Sequence, residues 1–348
     1  MLNLNKEKSD NKTINLGIEL VRPLLSLWVV IGHCSKIQKH HQKYIYRSFH
    51  VPTFNLIAFY FFYKALSESS VSKITFRLKR IIIPYILWPL AIFIFNNLLF
   101  SLFSFGQYEA KLSIKDLYIQ ILIGARFFRI FWFQFNLIFT SLIFSIISLL
   151  FKNQSLRILQ FLGLFSLFLH ITKINYFFLM PYNCYDGAFK LNLGTFIEMM
   201  PISVIGCIFN SFDLLNKLGH FSIYNQIILS LILLNLFEYD IFLRLPGFRY
   251  PNVLLNILAS MIIFLLFGSL HIEQIQNKKI ILIIESFTKF TGGIYYTHQI
   301  FRDYLTKYNQ FFSRRTYSIS FIIYIICYFF CYIGNSIFKN NKLKYLFS

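Results

Sequence analysis

The chain has 348 residues, of which 56% are hydrophobic, 20% aromatic and only 14% charged, and its mean hydropathy is +0.57. A soluble domain usually carries about a quarter charged residues, and one soluble core of this size could not bury so much apolar surface. The composition therefore excludes an ordinary soluble protein and predicts an all-α fold, a polytopic transmembrane helix bundle. A β-barrel is disfavoured because the apolar runs are continuous and do not alternate.

The net charge of +20 does not predict nucleic-acid binding. The basic residues are scattered through short segments between apolar runs, which is typical of side chains that anchor helices at a membrane surface. The five cysteines show no metal-type spacing, so the sequence predicts neither a metal centre nor a disulfide framework. They are Cys34, Cys184, Cys207, Cys327 and Cys331.

Apolar windows of about 17 to 25 residues predict ten membrane spans. They are 16–35, 49–66, 81–105, 131–151, 156–172, 193–210, 221–237, 253–271, 279–299 and 316–337. The predicted organisation is a polar N-terminal tail over 1–15, one transmembrane domain over 16–337 and a C-terminal tail over 338–348. The first run is too long and too charged for a signal peptide, so we expect it to be retained. Basic residues divide evenly between the two sides and do not decide the orientation.

The first apolar run is unusual because it carries Glu19, Arg22, Ser26 and His33 among Leu, Val, Ile and Trp. At about 100° per residue, Arg22 and His33 fall roughly 20° apart around an α-helix and about 16 Å apart along it. An ionisable residue that faces lipid costs several kcal/mol, so this stripe should face the bundle interior or a water-filled cavity. Pro23 is expected to bias Arg22 away from regular helix, so that the stripe begins slightly later.

His33 is the candidate general base of this stripe. An imidazole can take a proton from a hydroxyl near neutral pH when a neighbour fixes its tautomer. The alternative is a histidine that forms a structural hydrogen bond at a helix end. Cys34 should point about 100° away from His33, which predicts a buried, inert cysteine and argues against a nucleophilic pair.

Arg77 and Arg80 lie three residues apart and share a helical face just before the third window. Two guanidinium groups on one face can bind a phosphate or pyrophosphate, which is what coenzyme A would present. The alternative is interfacial anchoring. Two weaker candidates are His298, near the end of the ninth window, and Trp132, for which an interfacial aromatic belt is the default explanation.

These motifs together resemble the acyltransferase 3 family of integral membrane acyltransferases. The resemblance extends along most of the chain. Its parts are Glu19-Leu20-Val21-Arg22 with His33, then Phe49-His50-Val51-Pro52, Arg77 to Arg80 followed by Pro84-Tyr85, Trp132-Phe133, and Gly293-Ile294-Tyr295 with His298. The family usually carries a Ser-Gly pair where this chain has Ile57-Ala58-Phe59-Tyr60, a departure that indicates either a narrower substrate channel or a divergent branch of the family.

The resemblance implies a membrane O-acyltransferase, typically an O-acetyltransferase. It would use acyl-CoA (acetyl-CoA) as donor substrate, with no permanently bound cofactor and no metal. The acceptor would be a hydroxyl of a cell-envelope polysaccharide, glycolipid or related molecule. The protein itself would lie in the lipid bilayer of a bacterial inner (plasma) membrane. By analogy, His33 is the catalytic base with Arg22 and Glu19 as catalytic partners, and Arg77 and Arg80 bind the donor on the cytoplasmic side.

A multi-span transporter or flippase for a glycolipid or small solute would explain ten helices and a polar stripe equally well. It would not require two arginines before the third span, nor the spacing between Arg22 and His33. A non-catalytic relative with a sensing or scaffolding role also remains open from sequence alone.

Overall fold

The structure, a computed structural model, describes residues 15–34, 49–103, 112–124, 131–172, 185–218, 221–243, 253–270, 278–308, 310–313, 317–339, 343 and 347. Over these ranges the chain is helical, and none of them contains a β-strand. The predicted all-α class is therefore confirmed. The described helices are α1 Leu16–Cys34, α2 His50–Ser67, α3 Val71–Phe103, α4 Ile114–Ile123, α5 Phe131–Phe151, α6 Ser155–Ile171, α7 Tyr185–Ser211, α8 Leu214–Leu218, α9 Ile223–Leu243, α10 Val253–Gly268, α11 Lys278–Lys289, α12 Thr291–Tyr308, α13 Gln310–Ser313 and α14 Tyr317–Ile337.

Five described stretches are long and apolar enough to cross a membrane. They are Leu16–Cys34, Val71–Leu98, Phe131–Leu169, Gly194–Ser211 and Tyr317–Ile337, and two shorter apolar helices cover Ile223–Leu236 and Leu254–Gly268. A polytopic helical protein is thus supported, whereas the count of ten spans stays a prediction. The window predicted over 279–299 contains two helices, because α11 ends at Lys289 and α12 begins at Thr291.

Helix α1 lies in the middle of the main hydrophobic core. Its side chains Ile18, Val21 and Val30 are almost fully buried there. The helix packs against α14, α12, α11, α10 and α2. The first apolar run is therefore the element around which much of the bundle assembles, and its polar residues are held by several different helices.

Pro23 lies inside α1 without ending it, so the expected departure of Arg22 from regular helix does not occur. Proline lacks an N–H group, which leaves the carbonyl of residue i−4 without its usual intrahelical donor. That carbonyl belongs to Glu19, and it accepts a hydrogen bond of 2.5 Å from the hydroxyl of Thr288 on α11. The Tyr324 hydroxyl of α14 donates to the carbonyl of Pro23 at 3.3 Å. Two neighbouring helices therefore satisfy the backbone beside the proline.

Helices α2 and α7 pack closely along each other. A Cβ atom at Gly206 would come within 2.5 Å of the Leu56 carbonyl oxygen, so only glycine permits this approach. The Asn55 side chain donates to the Ser203 hydroxyl at 2.5 Å across the same contact. Small residues and interhelical hydrogen bonds are the usual means of joining helices in a bilayer. Where the resembled family carries a Ser-Gly pair, α2 has larger residues, and one of them, Phe59, is buried. The small residue at the contact between α2 and α7 is Gly206 of α7.

The segment predicted as a C-terminal tail contributes Phe347 to the main core. Its ring is only 7% exposed and packs against Trp88, Phe330 and Phe338. A Cβ atom at Gly293 would come within 2.8 Å of the Phe347 carbonyl oxygen. Phe347 thus packs against α3, α12 and α14.

Candidate active site

The polar residues of α1 form two groups at opposite ends of the helix. Glu19 and Arg22 lie in its first two turns, and His33 lies in its last turn. With a rise of about 1.5 Å per residue, Arg22 and His33 are separated by about 16 Å along the axis. The two groups meet different helices, so each has its own surroundings.

The first group is an arginine cluster, defined here as Arg22 of α1 with Arg77 and Arg80 of α3. Arg22 lies within electrostatic range of Arg80 and of Arg77, and the two arginines of α3 also repel each other. Arg22 Nη1 lies 3.3 Å from Glu19 Oε2, and the Arg22 side chain is 36% exposed. The sequence pattern alone does not relate the polar stripe of α1 to the arginine pair of α3, whereas in the structure their charges interact.

The charges of the arginine cluster are not balanced by the ion pair with Glu19. Among the described residues, only Arg22 of the three arginines is paired with a carboxylate, so these residues together carry a net positive charge. Arg77 is half-buried and Arg80 is exposed. Guanidinium groups bind phosphate and pyrophosphate with paired hydrogen bonds, and a multiply charged anion would relieve the repulsion among them. The cluster is therefore a candidate anion site.

The second group is a histidine cluster, defined here as His33 of α1, His50 of α2 and His298 of α12. The ring centroids of His33 and His298 lie 5.2 Å apart, with a 41° angle between the ring planes. His50 lies within electrostatic range of His33. His33 is exposed, whereas His50 is 6% exposed and His298 is fully buried. The solvent-accessible imidazole of His33 therefore lies beside the buried imidazoles of His50 and His298.

Arg302 stabilises the end of α1 beside the histidine cluster. Its Nη1 donates to the backbone carbonyl of His33 at 3.1 Å, and its Nε donates to Asp303 Oδ1 at 2.6 Å. The carbonyl groups in the last turn of a helix lack intrahelical donors, so a guanidinium group is a favourable partner there. Arg302 holds the turn that carries His33, and its positive charge is paired with Asp303.

The polar stripe of α1 is not uniform in its surroundings. Ser26 is 1% exposed, whereas Glu19 and Arg22 are half-buried and His33 is exposed. Glu19 lies fourteen residues before His33, so about 21 Å of helix separate them, and the Glu19 carboxylate is paired with Arg22. Cys34 is fully buried, as its position relative to His33 suggested. Trp132 packs against the main core.

Among the described residues, no group of three His, Cys, Asp or Glu side chains is arranged to hold a metal ion. The chemistry available to the two clusters is thus anion binding at one end of α1 and proton transfer at the other.

The chain that carries these two clusters is similar to a known protein family. A family model described as an acyltransferase domain matches residues 15–339, nearly the whole chain. The chain belongs to the acyltransferase 3 family. Together with the long apolar helices, this membership makes it an integral membrane acyltransferase. No curated protein matches the chain, and no solved structure does either.

Two residues beside His33 are not predicted as site residues by the sequence patterns. His50 belongs only to the Phe49-His50-Val51-Pro52 motif, and Arg302 belongs to none of the motifs. Arg302 does carry a local signal, since it lies four residues after His298 and so shares its helical face. Their proximity to His33 depends on how α1, α2 and α12 pack together, and no local pattern contains that information.

Proposed function

We propose that this acyltransferase transfers an acyl group, in particular acetyl, from acyl-coenzyme A to a hydroxyl of a cell-envelope polysaccharide or glycolipid. It would act as a multi-pass protein of the bacterial inner (plasma) membrane. The observation that carries the proposal is the position of the two clusters at opposite ends of α1. An anion site and a candidate base are held apart by one continuous helix, in a chain whose family performs acyl transfer.

Coenzyme A suits this arrangement because its phosphates and its thioester lie at opposite ends of an extended molecule. The phosphates would bind Arg77, Arg80 and Arg22, with Glu19 holding Arg22 in place through the 3.3 Å ion pair. The acyl end would then extend along α1 for about 16 Å toward His33. In this assignment Glu19 acts on the orientation of Arg22 and takes no part in proton transfer.

The reaction at His33 is a direct transfer. His33 takes the proton of the acceptor hydroxyl while the oxygen attacks the thioester carbonyl carbon. The new C–O bond forms, the C–S bond breaks, and the thiolate of coenzyme A leaves and receives the proton from the imidazolium. The products are an ester and free coenzyme A, and no covalent acyl-enzyme is needed. The exposure of His33 supports this role, since an acceptor must reach the imidazole from outside the core.

The test is acyl transfer by the purified protein in nanodiscs, with radiolabelled acetyl-CoA and an envelope glycan as acceptor. The His33→Ala variant should lose transfer by roughly 100-fold or more while it still binds the donor, because general-base catalysis contributes about 10²–10⁴-fold. The double variant Arg77→Ala/Arg80→Ala should raise the KM for acetyl-CoA and make it less dependent on salt.

Arg157→Ala is the matched control, since Arg157 is an exposed arginine of α6 far along the chain from both clusters. It should leave kcat and KM unchanged. Full transfer by His33→Ala would contradict the assigned base. Movement of a glycolipid or solute across the bilayer without any acyl donor would contradict acyl transfer and favour a transporter.

A further inference from the structure

The buried His298 has one ring nitrogen whose role is fixed by the structure. Its Nδ1 lies 3.2 Å from the carbonyl oxygen of Ile294, one turn earlier in α12. A carbonyl accepts hydrogen bonds only, so Nδ1 must carry the proton. In the neutral imidazole this leaves Nε2 as an acceptor with a lone pair. The helix itself therefore selects the tautomer of His298.

The Nε2 atom of His298 is buried and receives no hydrogen bond from any residue that the structure describes. A buried polar atom without a partner costs free energy, so its presence needs a reason. The neighbouring imidazole is that of His33, whose ring centroid is 5.2 Å away. A fixed acceptor thus lies beside the residue that would act as base.

We propose that His298 is a positioning residue for His33, and this inference rests on the proposed function. For catalysis, the exposed ring of His33 turns from its resting ring contact with His298 so that one of its N–H groups donates to the Nε2 lone pair, which has no such donor among the described residues of the resting structure. The other nitrogen of His33 is then unprotonated and takes the proton of the acceptor hydroxyl. When His33 becomes an imidazolium, the same hydrogen bond strengthens and stabilises the charge. In other acid–base sites a carboxylate orients the catalytic histidine, and here the neutral His298 orients the His33 ring.

The other ionisable groups around the two rings do not supply this acceptor. Arg302 has no acceptor atom, and its charge is paired with Asp303. Tyr295 contacts His298 through the edges of the rings, with centroids 5.9 Å apart. His50 approaches His33 from α2. A positive charge on His50 or on Arg302 repels the positive charge of the His33 imidazolium. A neutral hydrogen-bond acceptor such as His298 stabilises that imidazolium and so offsets the repulsion.

Two substitutions separate the functions of the two nitrogens of His298. His298→Asn retains an amide N–H near the position of Nδ1, where it can donate to the Ile294 carbonyl, but it has no atom at the position of Nε2. His298→Gln reaches farther and can place its amide oxygen near the position of Nε2. Comparable thermal unfolding of both variants and the wild type in the same nanodiscs establishes that each variant folds.

The kinetic readout is the pH dependence of kcat for acyl transfer. In His298→Asn, kcat should fall roughly 10- to 100-fold with an unchanged KM for acetyl-CoA. Loss of the acceptor destabilises the imidazolium of His33, so the acid limb of the profile should move to lower pH by about one unit. His298→Gln should recover part of both effects. A purely structural role would not move the acid limb.

A second readout does not depend on activity. Diethyl pyrocarbonate modifies only the neutral imidazole, and the exposed His33 can be followed by peptide mass spectrometry as the pH is varied. The midpoint for His33 should lie at lower pH in His298→Asn than in the wild type. If the wild type transfers acyl groups but His298→Asn has the same kcat and the same midpoint, the inference is wrong and the proposed function stands. If no acyl transfer is detected yet the midpoint shifts, the proposed function fails and the coupling between the two histidines is confirmed.

Discussion

The backbone carbonyl of Glu19 shows how one residue determines the contact between two helices. Pro23 removes its intrahelical donor, and Thr288 supplies a hydroxyl from α11 in its place. The side chain of the same Glu19 forms the ion pair with Arg22. A proline in the middle of α1 therefore joins α11 to the turn that presents the arginine cluster.

The first prediction concerns this hydrogen bond. Thr288→Val should lower the free energy of unfolding by about 1–3 kcal/mol, because it leaves the partly buried Glu19 carbonyl without this donor. Pro23→Ala restores a backbone N–H to that carbonyl, so Thr288→Val should cost clearly less in the Pro23→Ala background. Reversible unfolding of the four proteins of this double-mutant cycle in detergent measures the difference. Equal costs in both backgrounds would contradict the assigned role of Thr288.

A second prediction at the same scale concerns the turn between α2 and α3. The ammonium group of Lys73 donates a hydrogen bond to Glu68, and this contact, helped by the charges of Lys73 and Lys64, lowers the pKa of the Glu68 carboxyl. A lowered pKa in the folded state contributes stability above the pKa of the unfolded chain. This stability is lost as the pH falls through the folded value.

The Glu68→Gln variant should consequently lose less stability than the wild type between about pH 5 and pH 3. The effect should be small because Glu68 is exposed to solvent. Unfolding measured as a function of pH tests this expectation. Lys73→Met is the control, and it should also flatten the profile, since it removes the partner that lowers the pKa.

At the scale of elements, the contact between α2 and α7 determines how the helix that carries His50 is placed. The backbones approach closely at Gly206, and Asn55 donates both to the Ser203 hydroxyl and to the Met199 carbonyl. Neither van der Waals packing nor these hydrogen bonds would survive a larger separation of the two helices.

The third prediction compares two glycines at helix contacts. Gly206→Ala should destabilise the protein by about 1–3 kcal/mol, since the new Cβ would lie 2.5 Å from a backbone carbonyl oxygen that cannot rotate away. Gly163→Ala is the matched control, because its Cβ would meet the Val204 side chain at 3.2 Å. Side chains can adjust, so it should cost less than about 1 kcal/mol. Thermal unfolding in nanodiscs gives both values, and a larger loss in Gly163→Ala would contradict this account.

At the scale of the whole molecule, Phe347 connects parts of the chain that are distant in sequence. It contacts Trp88 of α3 and Phe330 of α14, and its backbone lies against Gly293 of α12. Helix α12 also carries His298. The packing of Phe347 therefore reaches the helix that carries His298.

The fourth prediction tests this connection. Phe347→Ala should lower the free energy of unfolding by about 3–5 kcal/mol, because it removes a buried ring and leaves a cavity between three helices. Phe329→Ala is the control: this phenylalanine of α14 is 56% exposed, and its truncation should change stability by less than about 0.5 kcal/mol. Equal effects of the two substitutions on unfolding in nanodiscs would show that Phe347 does not pack as described.

The sequence predicted the helical class and the separation between Arg22 and His33, since both follow from local composition and helix geometry. It did not predict the break at Phe290, because hydropathy averaged over a window stays high across the turn between the two helices. The burial of Phe347 was missed for a similar reason, as its neighbours Lys342 and Lys344 make the segment look like a solvated tail.

Spacing and charge identify His33, Arg22, Arg77 and Arg80 as candidate site residues, and their roles stay a prediction. The sequence does not show how these residues assemble, whereas in the structure the charges of the three arginines interact. The contact between His33 and His298 joins positions that are 265 residues apart, and it depends on the packing of α12 against α1. Local periodicity determines which face of a helix is polar, but not which helix meets that face.

The interval between Arg22 and His33 has a consequence for the choice of donor. Under the proposed function, α1 sets a minimum length of about 16 Å between the anionic end of a donor and its reactive carbonyl. In acetyl phosphate the phosphate and the reactive carbonyl are only a few atoms apart. It can therefore bind the arginine cluster or place its carbonyl at His33, but it cannot do the two at the same time. The helix would thus select donors by their length, and a thioester of coenzyme A would be accepted where a smaller activated acetyl group is not.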